Sequence, residues 1–61
     1  MDEFYTVKDL QRILQLPRDK TYKLVNQVDF PKIRIGKSYR IPRKSFEIFI
    51  NIYMGMDYDL N

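Results

Sequence analysis

The sequence contains no cysteine and no histidine. Those two absences remove disulfide staples, thiol nucleophiles, Ser-His-Asp relays and every Cys/His zinc site. Stability must come from packing alone. With 61 residues the chain holds one small domain, which excludes a multidomain enzyme. Glycine and proline are scarce, two and three residues respectively, and stand as single punctuation marks rather than in linkers or repeats. No apolar run nears the roughly 18 residues of a membrane span, and the chain opens on Asp2 and Glu3 rather than a basic leader, so a soluble, cytoplasmic protein is expected. The carboxylates Asp2, Glu3, Glu47, Asp57 and Asp59 lie mostly near the ends without ligand spacing, so neither a metal site, nor a cofactor, nor acid/base catalysis is expected.

What the chain does have is apolar and basic. At 44% hydrophobic and 15% aromatic residues it is too apolar to be disordered, although a core this small nets only about 3 to 5 kcal/mol. The formal charge of +3 conceals a segregation. Between residues 12 and 44 stand ten basic residues (Arg12, Arg18, Lys20, Lys23, Lys32, Arg34, Lys37, Arg40, Arg43 and Lys44) against Asp19 and Asp29, a local balance of +8. Residues 1–11 carry −2 and residues 45–61 carry −3. A basic centre between acidic ends makes a polyanion the partner to expect.

Hydrophobic periodicity divides the chain into three helices and a hairpin. Thr6 and Asp9 have the spacing of a capping box, Tyr5 and Leu10 that of a hydrophobic staple, and Val7, Leu10 and Leu14 form one apolar stripe, so a first helix should run from Thr6 to about Gln15. Pro17 fits the first position of a second helix, whose inner stripe is Thr21, Leu24, Val25 and Val28. Arg18, Lys20, Tyr22, Lys23 and Asn26 remain on its outer face. Two short helices joined by so tight a turn, the second basic on its free face, match a helix-turn-helix. The three cations also fit an ordinary solvated face; the basic element that follows favours the binding reading.

That element is Lys32-Ile33-Arg34-Ile35, Gly36-Lys37-Ser38, Tyr39-Arg40-Ile41, which alternates as a β-hairpin. Placing its isoleucines on one face requires a three-residue loop, with Ile35 opposite Tyr39, Arg34 opposite Arg40 and Ile33 opposite Ile41. Two arginines facing each other would want an anion between them. After Pro42, Phe46, Phe49, Ile50 and Tyr53 mark a third helix, with Ile48 and Ile52 outside the stripe. Met56 to Asn61 supports no regular element. The expected organisation is a domain over residues 1–54 and a flexible acidic tail over residues 55–61.

These residues resemble the excisionase-family DNA-binding domain, a small α+β winged helix-turn-helix akin to MerR-type regulators. The likeness spans about residues 4–53 and is carried by Thr6-Val7-Lys8-Asp9-Leu10, by Lys20-Thr21-Tyr22-Lys23-Leu24 and above all by Phe30-Pro31-Lys32-Ile33-Arg34-Ile35-Gly36-Lys37-Ser38-Tyr39-Arg40-Ile41-Pro42. The resemblance implies that Arg18, Lys20, Tyr22 and Lys23 fall on the recognition helix and Arg34, Lys37, Ser38 and Arg40 on the wing. It also implies double-stranded DNA as ligand, DNA bending, neighbouring copies on DNA, and either a tyrosine recombinase of a mobile element as partner or a role in transcription. Pro17, Gln15 and Val28 depart from the family pattern, at a helix cap and at two turn glycines. A winged-helix adaptor that binds protein instead of DNA is the competing class.

Overall fold

The computed structural model describes residues 3–60. Its elements are β1 (Phe4–Tyr5), α1 (Val7–Leu14), α2 (Arg18–Val25), β2 (Ile33–Ile35), β3 (Ser38–Pro42) and α3 (Arg43–Tyr53). This is the expected α+β arrangement of a winged helix-turn-helix, with one addition. The short strand β1 joins the hairpin to give a three-stranded antiparallel sheet in the order β1-β3-β2. Its pairs with β3 are Phe4 with Pro42 and Tyr5 with Ile41.

Local chemistry accounts for the start of α1. The Asp9 N–H donates to the Thr6 hydroxyl at 3.1 Å, and the Thr6 N–H donates to the Asp9 carboxylate at 2.9 Å. These reciprocal bonds hold the Asp9 carboxyl below its ordinary value, the backbone bond from Thr6 contributing most. The helix stops at Gln15, whose backbone is left-handed with φ 56°. There the N–H groups of Gln15 and Leu16 both reach the Gln11 carbonyl, closing the helix end.

Only two residues, Leu16 and Pro17, then separate the cap from α2. Pro17 is the cap of α2 rather than its first residue, so the helix begins one residue later than the sequence suggests. Its carbonyl accepts both the Thr21 N–H at 3.0 Å and the Thr21 hydroxyl at 2.9 Å. A threonine can therefore be completely buried there with its polar group satisfied. Thr21, Leu24 and Val25 form the inner stripe as expected, but Val28 does not. The helix ends at Val25, the chain turns at Asn26, and Val28 is fully exposed while Phe30 enters the core. A helical stripe cannot extend past the last helical residue, and Pro31 disfavours helical backbone at Phe30.

The hairpin register also differs from expectation. Ile33 pairs with Arg40, Arg34 with Tyr39 and Ile35 with Ser38, leaving a two-residue loop of Gly36 and Lys37. Gly36 has φ +62° and Lys37 does not have a positive φ, the signature of a type II′ turn with glycine at its first central position. Shifting the register by one residue reverses sides. Arg34 and Arg40 consequently lie on opposite faces. Ile41 is fully buried, whereas Ile33 and Ile35 are 45% and 62% exposed on the outer face of the sheet. The requirement that all three isoleucines share the core lost to turn chemistry.

The core comprises Val7, Leu10, Leu24, Val25, Phe30, Ile41, Phe46 and Phe49. Phe30 meets Phe49 at a ring separation of 4.9 Å and Phe46 at 6.2 Å, edge to face in both cases. Ile48 and Ile52 stay exposed on α3 as their positions imply. Residues 57–60 take no helix or strand, yet Tyr58 and Leu60 pack against the core. The Tyr53 and Tyr58 hydroxyls each donate at 2.7 Å to one oxygen of the Asp29 carboxylate. Burial, followed by that bond, pushes the Tyr58 phenol up to about 12, while the Tyr58 and Tyr53 hydroxyls lower Asp29.

Two stability predictions follow from these local features. A non-glycine residue in the left-handed region costs about 1 to 2 kcal/mol, against the ~0.4 to 1 kcal/mol of unfolded-state entropy that glycine adds. Gln15→Gly should therefore raise stability by up to about 1.5 kcal/mol, read as a higher urea midpoint at unchanged slope. Asp9 and Asp29 both titrate below the unfolded value of about 3.9, so their contribution is complete above that pH and is lost as pH falls through the depressed values. The melting temperature should decline below about pH 4, and D9N/D29N should flatten that decline.

Candidate nucleic-acid interface

The exposed side of α2 and the hairpin form one continuous surface. Arg18 opens α2 and lies with its guanidinium 5.5 Å from the Tyr22 ring centroid. Tyr22 itself is half-buried, its ring packed on the core side while its edge reaches the surface. Lys23 and Asn26 are exposed farther along, and Asp19 sits exposed in the first turn, where its charge suits the positive end of the helix. Successive helical residues are about 100° apart, so Lys20 lies about 160° around α2 from Tyr22, on the opposite shoulder.

A depression lined by Thr6, Val7, Lys8, Tyr22, Lys37, Ser38, Tyr39 and Arg40 lies where α2, the hairpin and the start of α1 meet. The structure thus brings together Tyr22, Lys37, Ser38 and Arg40 among the residues expected to act, and adds Lys8 to them. Arg40 is half-buried and donates through Nη1 to the Tyr39 carbonyl at 3.1 Å, which fixes its stem across the sheet. Arg34 stands apart from that depression. It stacks 5.9 Å from the Tyr39 ring and donates through Nε to the Gly36 carbonyl at 3.2 Å, so it braces the turn.

One hydrogen bond joins the hairpin to the helix. The Tyr39 hydroxyl donates to Asn26 Oδ1 at 2.7 Å, tying β3 to the last turn of α2. The two elements cannot then be placed independently on a ligand. Apart from Asp19, the charges of this surface are positive. The ion pairs between side chains among the described residues, Arg12 with Asp9 and Arg43 with Glu47, use none of the cations of α2 or the hairpin. Charges clustered without internal partners attract a polyanion and are screened by one.

Lys8 is the residue that the sequence reading missed. A cation in the first turn of a helix opposes the helix dipole, and that local misfit was the available signal. Its basic neighbours in the depression, Lys37 and Arg40, are 29 and 32 residues away along the chain and cannot be inferred from spacing. No group of three or more acidic residues among those described could hold a metal ion, and no described helix is long and apolar enough to cross a membrane.

Two short helices with a tight turn, the second exposed and basic, and an antiparallel hairpin beside it define the winged helix-turn-helix class. The sequence agrees. A family model described as a helix-turn-helix domain matches residues 4–51, and the chain belongs to that family. No curated protein and no solved structure matches it. Membership points to double-stranded DNA as the ligand. If the depression receives a backbone phosphate, Lys8→Ala should lower the slope of log affinity against log salt by about 1 while leaving the melting temperature within a few degrees. An unchanged slope would remove Lys8 from the interface.

Proposed function

We propose that the chain is a sequence-specific double-stranded DNA-binding protein that acts in the cytoplasm on the nucleoid or on a mobile element, as an excisionase-type recombination directionality factor. The observation that carries the DNA reading is the shared basic depression of α2, wing and α1, held in register by the Tyr39–Asn26 bond. In this reading α2 enters the major groove, about 12 Å wide, with Arg18, Tyr22 and Lys23 toward base edges and Lys20 toward a flanking phosphate. Arg34, Lys37, Ser38 and Arg40 grip the backbone beside it. A wing and a helix bound in neighbouring grooves favour a bent duplex.

The excisionase role rests on the resemblance of the Pro31 to Pro42 run, and a small repressor uses the same surface. An excisionase needs contacts to neighbouring copies and to a tyrosine recombinase, and the exposed pair Ile48 and Ile52, 61% and 57% accessible and four residues apart on α3, supplies an apolar surface for the former.

The deciding experiment is fluorescence anisotropy with duplexes tiled across the DNA flanking the coding region, beside a random duplex and over a salt series. Three to five neutralised phosphates predict a slope of about −3 to −4.5, and a specific site should bind at least ~10³-fold above random. Arg34→Ala and Arg40→Ala should weaken all duplexes alike, whereas Arg18→Ala should relax discrimination at particular base pairs by about 1 to 3 kcal/mol. I48E/I52E should abolish cooperative binding and spare single-site binding. A flat salt response would replace the DNA reading by the protein-adaptor one. Specific binding with no effect on excision by the neighbouring recombinase would leave the repressor.

A further inference from the structure

The turn over residues 26–32 is the covalent link between the recognition helix and the wing, and it is fastened from both sides. Toward the wing, Asn26 accepts the Tyr39 hydroxyl, and within the turn the Lys32 ammonium donates to the Gln27 carbonyl at 2.9 Å. Beneath it, Phe30 is buried against Phe46 and Phe49 of α3. Away from the wing, both oxygens of the Asp29 carboxylate are taken, one by the Tyr53 hydroxyl and one by the Tyr58 hydroxyl.

The two tyrosines are held as firmly as the carboxylate. Their rings meet edge to face at 4.7 Å, and Tyr58 also meets Phe49 at 5.4 Å. A charged acceptor shared by two phenols has no remaining freedom to rotate, because turning the carboxylate breaks one short bond or the other. Tyr53 belongs to α3, but Tyr58 lies in a segment without helix or strand, which enters the fold through this contact and the packing of Leu60. Both rings also pack on Phe49 of the core, at 4.8 Å and 5.4 Å. What this pair does is tie Asp29, in the middle of the turn, to α3 and to the C-terminal segment.

We propose that Asp29 and Tyr58 are positioning residues for the DNA grip: the C-terminal segment clamps the turn after the recognition helix and thereby sets where the wing stands relative to that helix. The clamp acts through the turn. Asp29 holds it on one side, Asn26 presents its amide to Tyr39 three residues earlier, and Tyr39 stacks under Arg34. Loosening the turn lets the hairpin swing, so the phosphate contacts of the wing are lost before those of α2. This inference rests on the DNA-binding reading for its functional consequence, while its structural half stands without DNA.

Tyr58→Phe removes the hydroxyl and keeps the ring, and Asp29→Ala removes the acceptor. Both should weaken binding to the preferred duplex roughly fivefold and reduce the salt slope by about 1, the share of one lost phosphate contact. Amide exchange of residues 33–40 should quicken selectively, with Leu10 and Val25 unchanged. Tyr39→Phe should produce the same exchange pattern, and the Y39F/Y58F double variant should lose less affinity than the product of the two single losses, since both act through one turn. Weaker binding at an unchanged slope, with exchange quickened uniformly, would show a stabilising contact only and overturn the proposal. Unchanged binding and exchange would overturn it equally. If the parent chain does not bind DNA with a salt-dependent affinity, the exchange pattern alone decides whether the clamp holds the wing.

Discussion

The rest of the structure depends on Phe30 being drawn under α3. It is 3% exposed, and its ring meets Phe46 and Phe49, the two buried residues of that helix. Each such edge-to-face pair is worth about 0.5 to 1.5 kcal/mol beyond the area it buries. In a domain with a net stability of a few kcal/mol this is a large share. The geometric effect is larger still. The chain bends at Phe30 after the end of α2, Pro31 disfavours any return to helix there, and β2 begins at Ile33. The hairpin therefore lies beside α2 because an aromatic ring five residues after the end of that helix is buried under α3.

How legible each element was from the sequence follows from how local its cause is. The start of α1 was readable because a capping box is a statement about four consecutive residues, and Thr6 and Asp9 make both of its bonds. The stripe of α3 was readable because eleven residues give its periodicity room to repeat. α2 has only eight, so Val28 continued the period on paper after the helix had ended. The hairpin register failed for a different reason. Two rules competed, apolar residues together against glycine where the turn needs φ > 0, and Gly36 decided it because a turn conformation is fixed in space while an isoleucine beside a small core is free to remain exposed.

The charge pattern behaved in the opposite way. Segregation of cations into the middle of the chain is visible without folding anything, and it located α2 and the wing correctly as the basic elements. Which cations converge was not visible. Arg34 and Arg40, expected on one face, are divided by the register, and Lys8 joins Lys37, Ser38, Arg40 and Tyr22 through a contact between distant segments. Asp29 shows the same limit. Its two partners are 24 and 29 residues away, so nothing near it in the sequence hints at the clamp.

The places where local preference is overruled separate into two kinds. Gln15 in the left-handed region has a geometric cause, because only Leu16 and Pro17 lie between its cap and α2 and the chain must reverse within them. A glycine would do the same with less strain, so nothing about binding is needed to explain it. Lys8 has no such cause. A cation at the positive end of α1 costs energy there, and the fold gains no ion pair from it among the described residues. The same holds for the cations of α2 and the wing, which repel one another in the free protein. Like charges gathered at one surface, with no ion pair to offset them among the described residues, suit a partner that supplies the missing charge. A duplex, the ligand that the family points to, carries one negative charge per roughly 1.7 Å of axis and so could offset cations on α2 and the hairpin together.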